Sequence, residues 1–266
     1  MSASNLYEQT GPRTKEFDKR HTNYSDSDLL KLIEKVVKER PTYGYRRVTA
    51  ILNRDFRRES RPRINHKRVY RIMRENDLLW KPAKQKATRT HDGKVIVPQS
   101  DSRYCSDTFE IWCWDNKIVR VAFVLDCCDR EVITWIATTA GINGAMIRDL
   151  MAEVVENRFG SVSQVPHRIE WLSDNGSIYR AHKTRQFAKM VGLDPCTTPV
   201  YSPESNGMAE SFVKTFKRDY VRVNDLTSAV DVLEKLHDWF EDYNENHPHK
   251  GLRMKSPREF RQLQQV

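Results

Sequence analysis

Three acidic residues are the candidates for chemistry in this sequence of 266 residues: Asp107, Asp174 and Glu210. Asp107 opens an apolar run, Asp174 closes another run at an Asp-Asn-Gly turn, and 35 residues separate Asp174 from Glu210. Hard divalent cations such as Mg²⁺ prefer carboxylate oxygens. Carboxylates that converge from distant positions can hold two ions about 4 Å apart, which serve both the attacking and the leaving oxygen of a phosphodiester. The residues therefore favour metal-dependent phosphoryl transfer, provided that the fold brings them together.

The residues around Glu210 predict a helix over about residues 208–223. At 100° per residue, Lys214 and Lys217 lie within about 60° of Glu210 on one face. The other face is apolar and is expected to pack into the core; it contains Phe212, Val213, Phe216 and Tyr220. Glu210 can then reach a metal ion while both lysines reach phosphates. Taken alone, the pair Glu210 and Lys214 is more typical of a solvent-exposed ion pair.

The second part of the sequence predicts a layered α/β domain with a mixed sheet. Three short strands joined by tight turns indicate an antiparallel meander, over residues 107–113, 118–125 and 132–137. Helices and strands then alternate, with strands over residues 169–172 and 196–200 and helices over residues 144–157, 181–191, 208–223 and 228–246. This order is typical of a sheet with helices packed on it.

The formal net charge of +9 is divided unevenly along the chain. Residues 1–100 contain 24 Lys and Arg against 12 Asp and Glu, whereas residues 101–266 contain 21 against 24. A basic half joined to a slightly acidic half indicates a polyanionic partner and two separate tasks.

The basic half predicts three short helices over residues 25–80, after an arm over residues 1–24 and before a linker over residues 81–101. Ser25 and Asn65 are suitable N-caps for the first and third helices. The third helix has one apolar face and one basic face, the latter formed by Lys67, Arg71 and Arg74 with Arg68 beside them. This arrangement resembles a helix-turn-helix unit, whose last helix enters the DNA major groove. The alternative is an ordinary solvated face.

Several classes of protein are excluded. No apolar run approaches the roughly 20 residues that span a bilayer, and the first twenty residues lack the apolar stretch of a signal peptide. We therefore expect a cytoplasmic protein without a membrane partner. The five cysteines have no zinc-ligand spacing and are expected to be small buried hydrophobes.

Two motifs carry a resemblance to a known family. The run Ser173-Asp174-Asn175-Gly176 and the run Ser202-Pro203-Glu204-Ser205-Asn206-Gly207-Met208-Ala209-Glu210, followed by Lys217, resemble the DDE transposases and retroviral integrases. More closely, the chain resembles the second-frame (OrfB) transposase of bacterial insertion sequences in family three. The resemblance spans about residues 25–262 and includes the Tyr43–Arg47 turn, the run from Asp126 to Glu131 and the tail from His247 to Glu259.

This resemblance implies a ribonuclease H-like core over residues 102–262, with a mixed five-stranded sheet flanked by helices. A small all-α helix-turn-helix domain would precede it. It further implies Asp107, Asp174 and Glu210 as the catalytic triad, two Mg²⁺ (or Mn²⁺) ions as cofactors, and DNA cleavage followed by strand transfer. Asn206 and Gly207 match the loop before the catalytic helix.

DNA is the partner that the resemblance implies, as the terminal inverted repeats of an insertion element and as target DNA. Lys217 matches a basic residue that contacts terminal DNA. The other predicted DNA contacts are Lys214 and Arg218 in the same helix and Arg46, Arg47, Lys67, Arg68, Arg71 and Arg74 in the basic half. The family also implies a homo-multimer on paired ends, a first-frame protein as a fusion or partner, and a place at the bacterial nucleoid.

Three alternatives stay open. Asp126, at the end of the second strand, is the rival of Asp107, because the family usually has a Thr two places after the Asp, whereas Phe109 stands there. The chain begins with Met1 and lacks leucine-zipper heptads, so it is expected to be the second frame alone and could be a DNA-binding regulator of transposition. A simple ribonuclease H-type nuclease is disfavoured by the basic half.

Overall fold

The computed structural model describes residues 24–80, 97–161, 165–197 and 207–264. The predicted arm and linker fall largely outside these ranges, as does Asn206. Three helices form an N-terminal unit: α1 Asp26–Glu39, α2 Tyr45–Arg58 and α3 His66–Glu75. Their shared core consists mainly of aliphatic side chains, among them Leu29, Ile33, Val48, Leu52, Val69, Ile72 and Met73.

The helix starts in this unit follow the predicted capping. Ser25 Oγ accepts a hydrogen bond from the Asp28 backbone N–H at 3.1 Å, and Asn65 Oδ1 accepts one from the Lys67 N–H at 2.9 Å. Both caps satisfy N–H groups that would otherwise lack a partner at a helix start. Helix α2 extends to Arg58, and Phe56 is buried in the core of the unit one turn beyond Leu52.

The core domain is built on one mixed sheet of five strands: β1 Arg103–Trp112, β2 Ile118–Asp126, β3 Val132–Thr138, β4 Ile169–Ser173 and β5 Leu193–Thr197. Their order is β3-β2-β1-β4-β5. The first three form the predicted antiparallel meander, and β4 and β5 lie parallel to β1. This is the ribonuclease H-like arrangement, so the predicted fold class is confirmed.

Helices cover both faces of the sheet. On one face lie α7 Gly207–Phe216 and α8 Ala229–Asn246, and on the other lie α4 Gly144–Phe159, the short α5 Ser177–Arg180 and α6 His182–Met190. Neighbouring strand residues serve opposite faces, so Phe123 packs with α7 whereas Val124 packs with α4. Each buried Phe in the α7 layer contributes about 1.5–3 kcal/mol to folding.

The chain departs from the predicted elements in three places. Asp107 stands in the middle of β1 and does not open it, because the strand begins at Arg103. Strand β5 begins at Leu193, three residues before its predicted start. Helix α7 ends at Phe216 and continues as a π-helix over Lys217–Val221, so it is not one α-helix to Val223.

The N-terminal unit packs against the C-terminal part of the core, which includes α8, a 3₁₀ turn Lys250–Leu252 and α9 Pro257–Gln262. Arg40 forms a bidentate ion pair with Asp242 of α8, and Tyr43 Oη lies 3.0 Å from Nδ1 of the buried His247. Among the described helices, none is long and apolar enough to cross a membrane.

Candidate active site and DNA-binding surfaces

Asp107 lies at the centre of the candidate active site, on the middle strand of the sheet. Its carboxylate accepts a hydrogen bond from the Thr108 backbone N–H at 2.7 Å. Burial, together with the negative charges of Asp174 and Glu210, raises the pKa of Asp107 to about 6 against the lowering effect of that hydrogen bond. The structure therefore brings the three predicted carboxylates into one electrostatic neighbourhood.

Asp174 owes its position to the parallel pairing of β4 with β1. Leu172 lies opposite Cys105 in that register. Asp174 and Asp107 each stand two residues further along, and Asp174 is the first residue after β4. Asp174 is exposed and accepts a hydrogen bond from the Gly176 N–H at 2.9 Å. A Cβ atom on Gly176 would lie only 2.9 Å from Asp174 Oδ1, so a side chain there would displace that carboxylate.

Glu210 lies in the first turn of α7. The aromatic face of this helix fixes its rotation: the ring centroids of Phe212 and Phe123 are 4.5 Å apart, and those of Phe216 and Phe109 are 5.6 Å apart. Glu210 lies near enough to β1 for its charge to raise the pKa of Asp107. Its carboxylate pairs with Lys214 Nζ at 3.2 Å, and the Lys214 side chain is 77% exposed, so this ion pair is readily exchanged for other ligands.

Asp126 has a different environment from Asp107. Its Oδ2 accepts the Asp101 backbone N–H at 2.7 Å, and its Oδ1 accepts the N–H groups of Cys128 and Asp129 at 2.7 and 3.1 Å. The residue is fully buried. Burial also raises the pKa of Asp126 to about 7. These bonds tie Asp126 to the turn between β2 and β3, and the charges acting on Asp107 come from Asp174 and Glu210 instead.

The basic residues that follow Glu210 divide between two environments. Lys217 Nζ lies 5.7 Å from the ring centroid of Phe109, on the side of β1 that carries the aromatic layer. Arg218 is held by a bidentate hydrogen bond to Asp219 and lies over Trp80. Lys214 thus lies beside Glu210 and Lys217 lies over Phe109 of β1, whereas the guanidinium of Arg218 is engaged within the protein.

The predicted DNA contacts of the N-terminal unit divide in the same way. Arg47 pairs with the buried Asp219 at 3.0 Å. Arg68 and Arg71 both pair with Asp26 of α1, Arg68 through Nε at 2.8 Å. The side chains that face solvent without a carboxylate partner among the described residues are Arg46, Lys67 and Arg74.

One functional contact escaped the sequence analysis. Asp219, in the π-helix that continues α7, accepts a hydrogen bond from Thr42 Oγ1 at 2.6 Å as well as the ion pair from Arg47. It therefore joins the N-terminal unit to the helix that carries Glu210. No local pattern signals this contact, since 177 positions separate Thr42 from Asp219.

A helical DNA-binding unit joined to a ribonuclease H-like sheet with acidic residues on its central strands defines a polynucleotidyl transferase of the integrase type. Comparison with known families agrees. An HTH-like domain model matches residues 25–86, and two integrase core domain models match residues 97–203 and 191–257.

Two relatives with similar sequences identify the family. The transposase InsD for insertion element IS2A/D/F/H/I/K of Escherichia coli is 51% identical over 244 residues, covering 91% of this chain and 80% of that protein. InsD for insertion element IS2-9 of Escherichia coli (strain K12) has the same identity, with 78% of its length covered. The chain belongs to the second-frame transposases of bacterial insertion sequences in family three.

Solved structures are more distant. The catalytic domain of Mos1 mariner transposase is 16% identical with a TM-score of 0.48, covering 60% of this chain and 79% of that one. A chain from the simian T-cell lymphotropic virus intasome is 12% identical with a TM-score of 0.49, covering 86% of this chain and 73% of that one.

Proposed function

We propose that this transposase cuts DNA at the ends of its insertion element and joins the freed ends to target DNA, with Asp107, Asp174 and Glu210 as its catalytic carboxylates. The observation that carries the proposal is the raised pKa of Asp107 beside two further carboxylates from separate elements. Like charges gathered in this way cost stability, and perturbed carboxylates of this kind cluster at functional sites.

The donor set fits the divalent cations, Mg²⁺ or Mn²⁺, that the proposed chemistry needs. Carboxylate oxygens are their preferred ligands, and cations would offset the mutual repulsion around Asp107. Within the described residues, no three acidic, His or Cys side chains are grouped closely enough to enclose an ion. Two bound ions would supply charge neutralisation at the phosphodiester and make the attacking hydroxyl a stronger nucleophile.

The remaining site residues orient the DNA. Lys214 and Lys217 lie on the same helix as Glu210 and are placed to neutralise phosphates that flank the scissile bond. Gly207 begins this helix, and among the described residues no heavy atom lies within 4 Å of where its Cβ would be. No covalent intermediate with the protein is required, because a DNA hydroxyl serves as the nucleophile of the joining step.

The partners in this proposal are the terminal repeats of the element, the target duplex and further copies of the chain on paired ends. The first-frame protein completes the set, as a fusion or as a separate subunit. Lys67 and Arg74 of α3 and Arg46 of α2 are the proposed contacts of the N-terminal unit with duplex DNA. Arg47, Arg68 and Arg71 support the fold of this unit and its attachment to the core.

The decisive experiment compares Asp174→Asn and Glu210→Gln with the wild-type chain in cleavage and joining of element-end duplexes with Mg²⁺. Both variants are expected to lose activity by more than about 10²-fold, as removal of charge-stabilising groups does elsewhere. Glu153→Gln, which neutralises an exposed carboxylate on α4, is the matched control and is expected to be fully active. Undiminished cleavage by Asp174→Asn would sink the proposal. Duplex binding without any cleavage by the intact chain would favour the regulator instead.

A further inference from the structure

A deep groove lies between the N-terminal unit and the C-terminal turn of the core. Its volume is about 910 Å³. One wall is formed by α2 and the α2–α3 connection, which contribute Arg46, Arg57 and Arg63. The other wall is formed by the segment after the 3₁₀ turn, which contributes Arg253 and Lys255. Neither domain forms this groove alone.

The groove is strongly cationic. Among the described residues that line it, the only carboxylate is that of Glu259, which is already bound by Arg54 at 3.3 Å and by Arg57 at 3.1 Å. In the described ranges, the side chains of Arg63, Arg253 and Lys255 have no carboxylate partner, and Arg46 contacts only the ring and hydroxyl of Tyr45. Unpaired cations along a concave surface attract a polyanion.

Hydrogen bonds within the protein fix the backbone of both walls. On the first wall, the side chain of Asn53 clamps the backbone of Ile64, donating to its carbonyl at 3.0 Å and accepting from its N–H at 2.7 Å. This clamp fixes the connection on which Arg63 stands. On the second wall, Arg253 and Met254 adopt left-handed backbone angles, with φ of 55° and 64°. The Met254 N–H closes that turn on the His249 carbonyl at 2.7 Å.

The groove opens at the start of α3, since Asn65 and His66 also line it. In helix-turn-helix proteins, the N-terminal residues of the last helix meet the base edges in the major groove. A duplex seated on α3 would therefore bring one of its sugar-phosphate strands into the groove. Arg253 and Lys255 of the core would then hold the same duplex that the N-terminal unit reads.

We infer that this interdomain groove is a second DNA-binding surface, which grips the phosphate backbone of duplex DNA beside the segment read by α3. It contributes affinity and little sequence preference, because arginine and lysine contacts to phosphates carry no base information. The inference takes from the proposed function only that duplex DNA is the substrate. It is tested by binding in EDTA, so a failure of the catalytic proposal leaves its test intact.

The experiment measures the affinity of the full-length chain for an element-end duplex and for a shuffled duplex, over a range of salt concentrations. The charge reversals Arg63→Glu and Arg253→Glu, made together, are expected to weaken binding to both duplexes by about tenfold or more. The slope of log affinity against log salt should become shallower by about 2, since each lost phosphate contact removes about 0.9. The preference for the element end over the shuffled duplex should be retained.

A matched pair of reversals controls for net charge. Arg185→Glu with Lys189→Glu alters two exposed cations of α6, on the opposite face of the sheet, by the same total charge. This pair is expected to leave the salt slope unchanged. The milder pair Arg63→Gln and Arg253→Gln guards against misfolding, and it should lose affinity in the same direction by a smaller factor. Wild-type affinity and slope in both groove pairs, or equal losses in the α6 pair, would overturn the inference.

Discussion

The charge of Asp174, the first residue after β4, raises the pKa of Asp107 on the neighbouring strand β1. The pairing of Leu172 with Cys105 lies two residues before either carboxylate. Parallel pairing holds the two backbones at a constant spacing as far as Leu172, and the turn after β4 then positions Asp174 through the hydrogen bond from the Gly176 N–H. Glu210 is added to this pair by α7, whose rotation is fixed by aromatic packing.

The first prediction concerns the turn after β4. In Gly176→Ala, the new methyl group would lie 2.9 Å from Asp174 Oδ1 and would push the carboxylate out of position. Misplacement of a reacting group by about 1 Å can cost about 10²-fold in rate, so a loss of about 10- to 100-fold in cleavage is expected. The measurement is single-turnover cleavage with Mg²⁺.

The control for this prediction is Gly141→Ala, because no heavy atom lies within 4 Å of the Cβ that it adds. It should cleave at the wild-type rate. If Gly176→Ala also cleaves at the wild-type rate, the turn does not position Asp174 in the way described.

The second prediction concerns stability and pH. Because burial and neighbouring carboxylates raise the pKa of Asp107 to about 6, the folded chain holds that proton more tightly than the unfolded chain does. The contribution of Asp107 is therefore favourable at low pH and is lost as the pH rises from about 4 toward 6. In Asp107→Asn this loss is absent, so the variant should be more stable than the wild type at pH 7 without metal, by about 1–2 kcal/mol.

Urea unfolding in EDTA at pH 4 and pH 7 measures this effect. The stability advantage of Asp107→Asn should shrink or vanish at pH 4, where the wild-type carboxyl is protonated. A variant that is less stable than the wild type at pH 7 would contradict the electrostatic description of the site. Cleavage activity should be lost in the same variant, so Asp107→Asn should be more stable than the wild type at pH 7 and yet inactive.

The third prediction distinguishes Asp126 from Asp107. In Asp126→Asn, one carboxylate oxygen is replaced by an amide that cannot accept the hydrogen bonds of the turn, so a buried N–H group loses its partner. The expected destabilisation is about 1–3 kcal/mol. Denaturant unfolding would measure it, and an Asp126→Asn variant as stable as the wild type would show that the turn does not depend on these hydrogen bonds.

The fourth prediction separates DNA contact from domain attachment in the basic half. Lys67→Ala should weaken duplex binding and reduce the salt slope by about 1, as the loss of one phosphate contact does. Arg47→Ala should instead lower the free energy of unfolding, because it leaves the buried Asp219 with fewer partners.

Binding titrations and denaturant unfolding on both variants test this division. The assignment of Arg47 to the domain contact would be wrong if its replacement reduced the salt slope as much as Lys67→Ala does and left stability unchanged. Arg74→Ala, a second exposed α3 variant, is expected to behave like Lys67→Ala.

Much of the fold could be predicted from local features of the sequence. The N-caps at Ser25 and Asn65 and the β-branched, apolar run of β2 are properties of neighbouring residues, so pattern alone predicted those elements. The mixed sheet followed from the order of strands and helices. Asp107 was singled out as an acidic residue at the start of an apolar run, and the family resemblance assigned it to the catalytic triad. The strand begins four residues earlier, at Arg103, so Asp107 lies inside β1.

Long-range contacts could not be predicted from local sequence patterns. Arg40 and Asp242 are 202 positions apart, and Arg47, a predicted DNA contact, pairs with Asp219 from an element 172 positions away. In the sequence, each of these residues looks the same as an exposed charged residue. Only the tertiary fold decides whether its side chain contacts solvent, DNA or an opposite charge. The groove around Arg63 and Arg253 was hidden for the same reason.

Because Lys217–Val221 form a π-helix, the structure of this segment depends more on how many residues it has than on which residues they are. A π-turn holds about one residue more than an α-turn. Deletion of a single residue there would restore a regular helix and swing Asp219 by about 100° around its axis. Thr42 and Arg47 would then lose their acceptor although no residue type at the junction had changed. Insertions and deletions in these five positions should therefore be far less tolerated than substitutions on their exposed side.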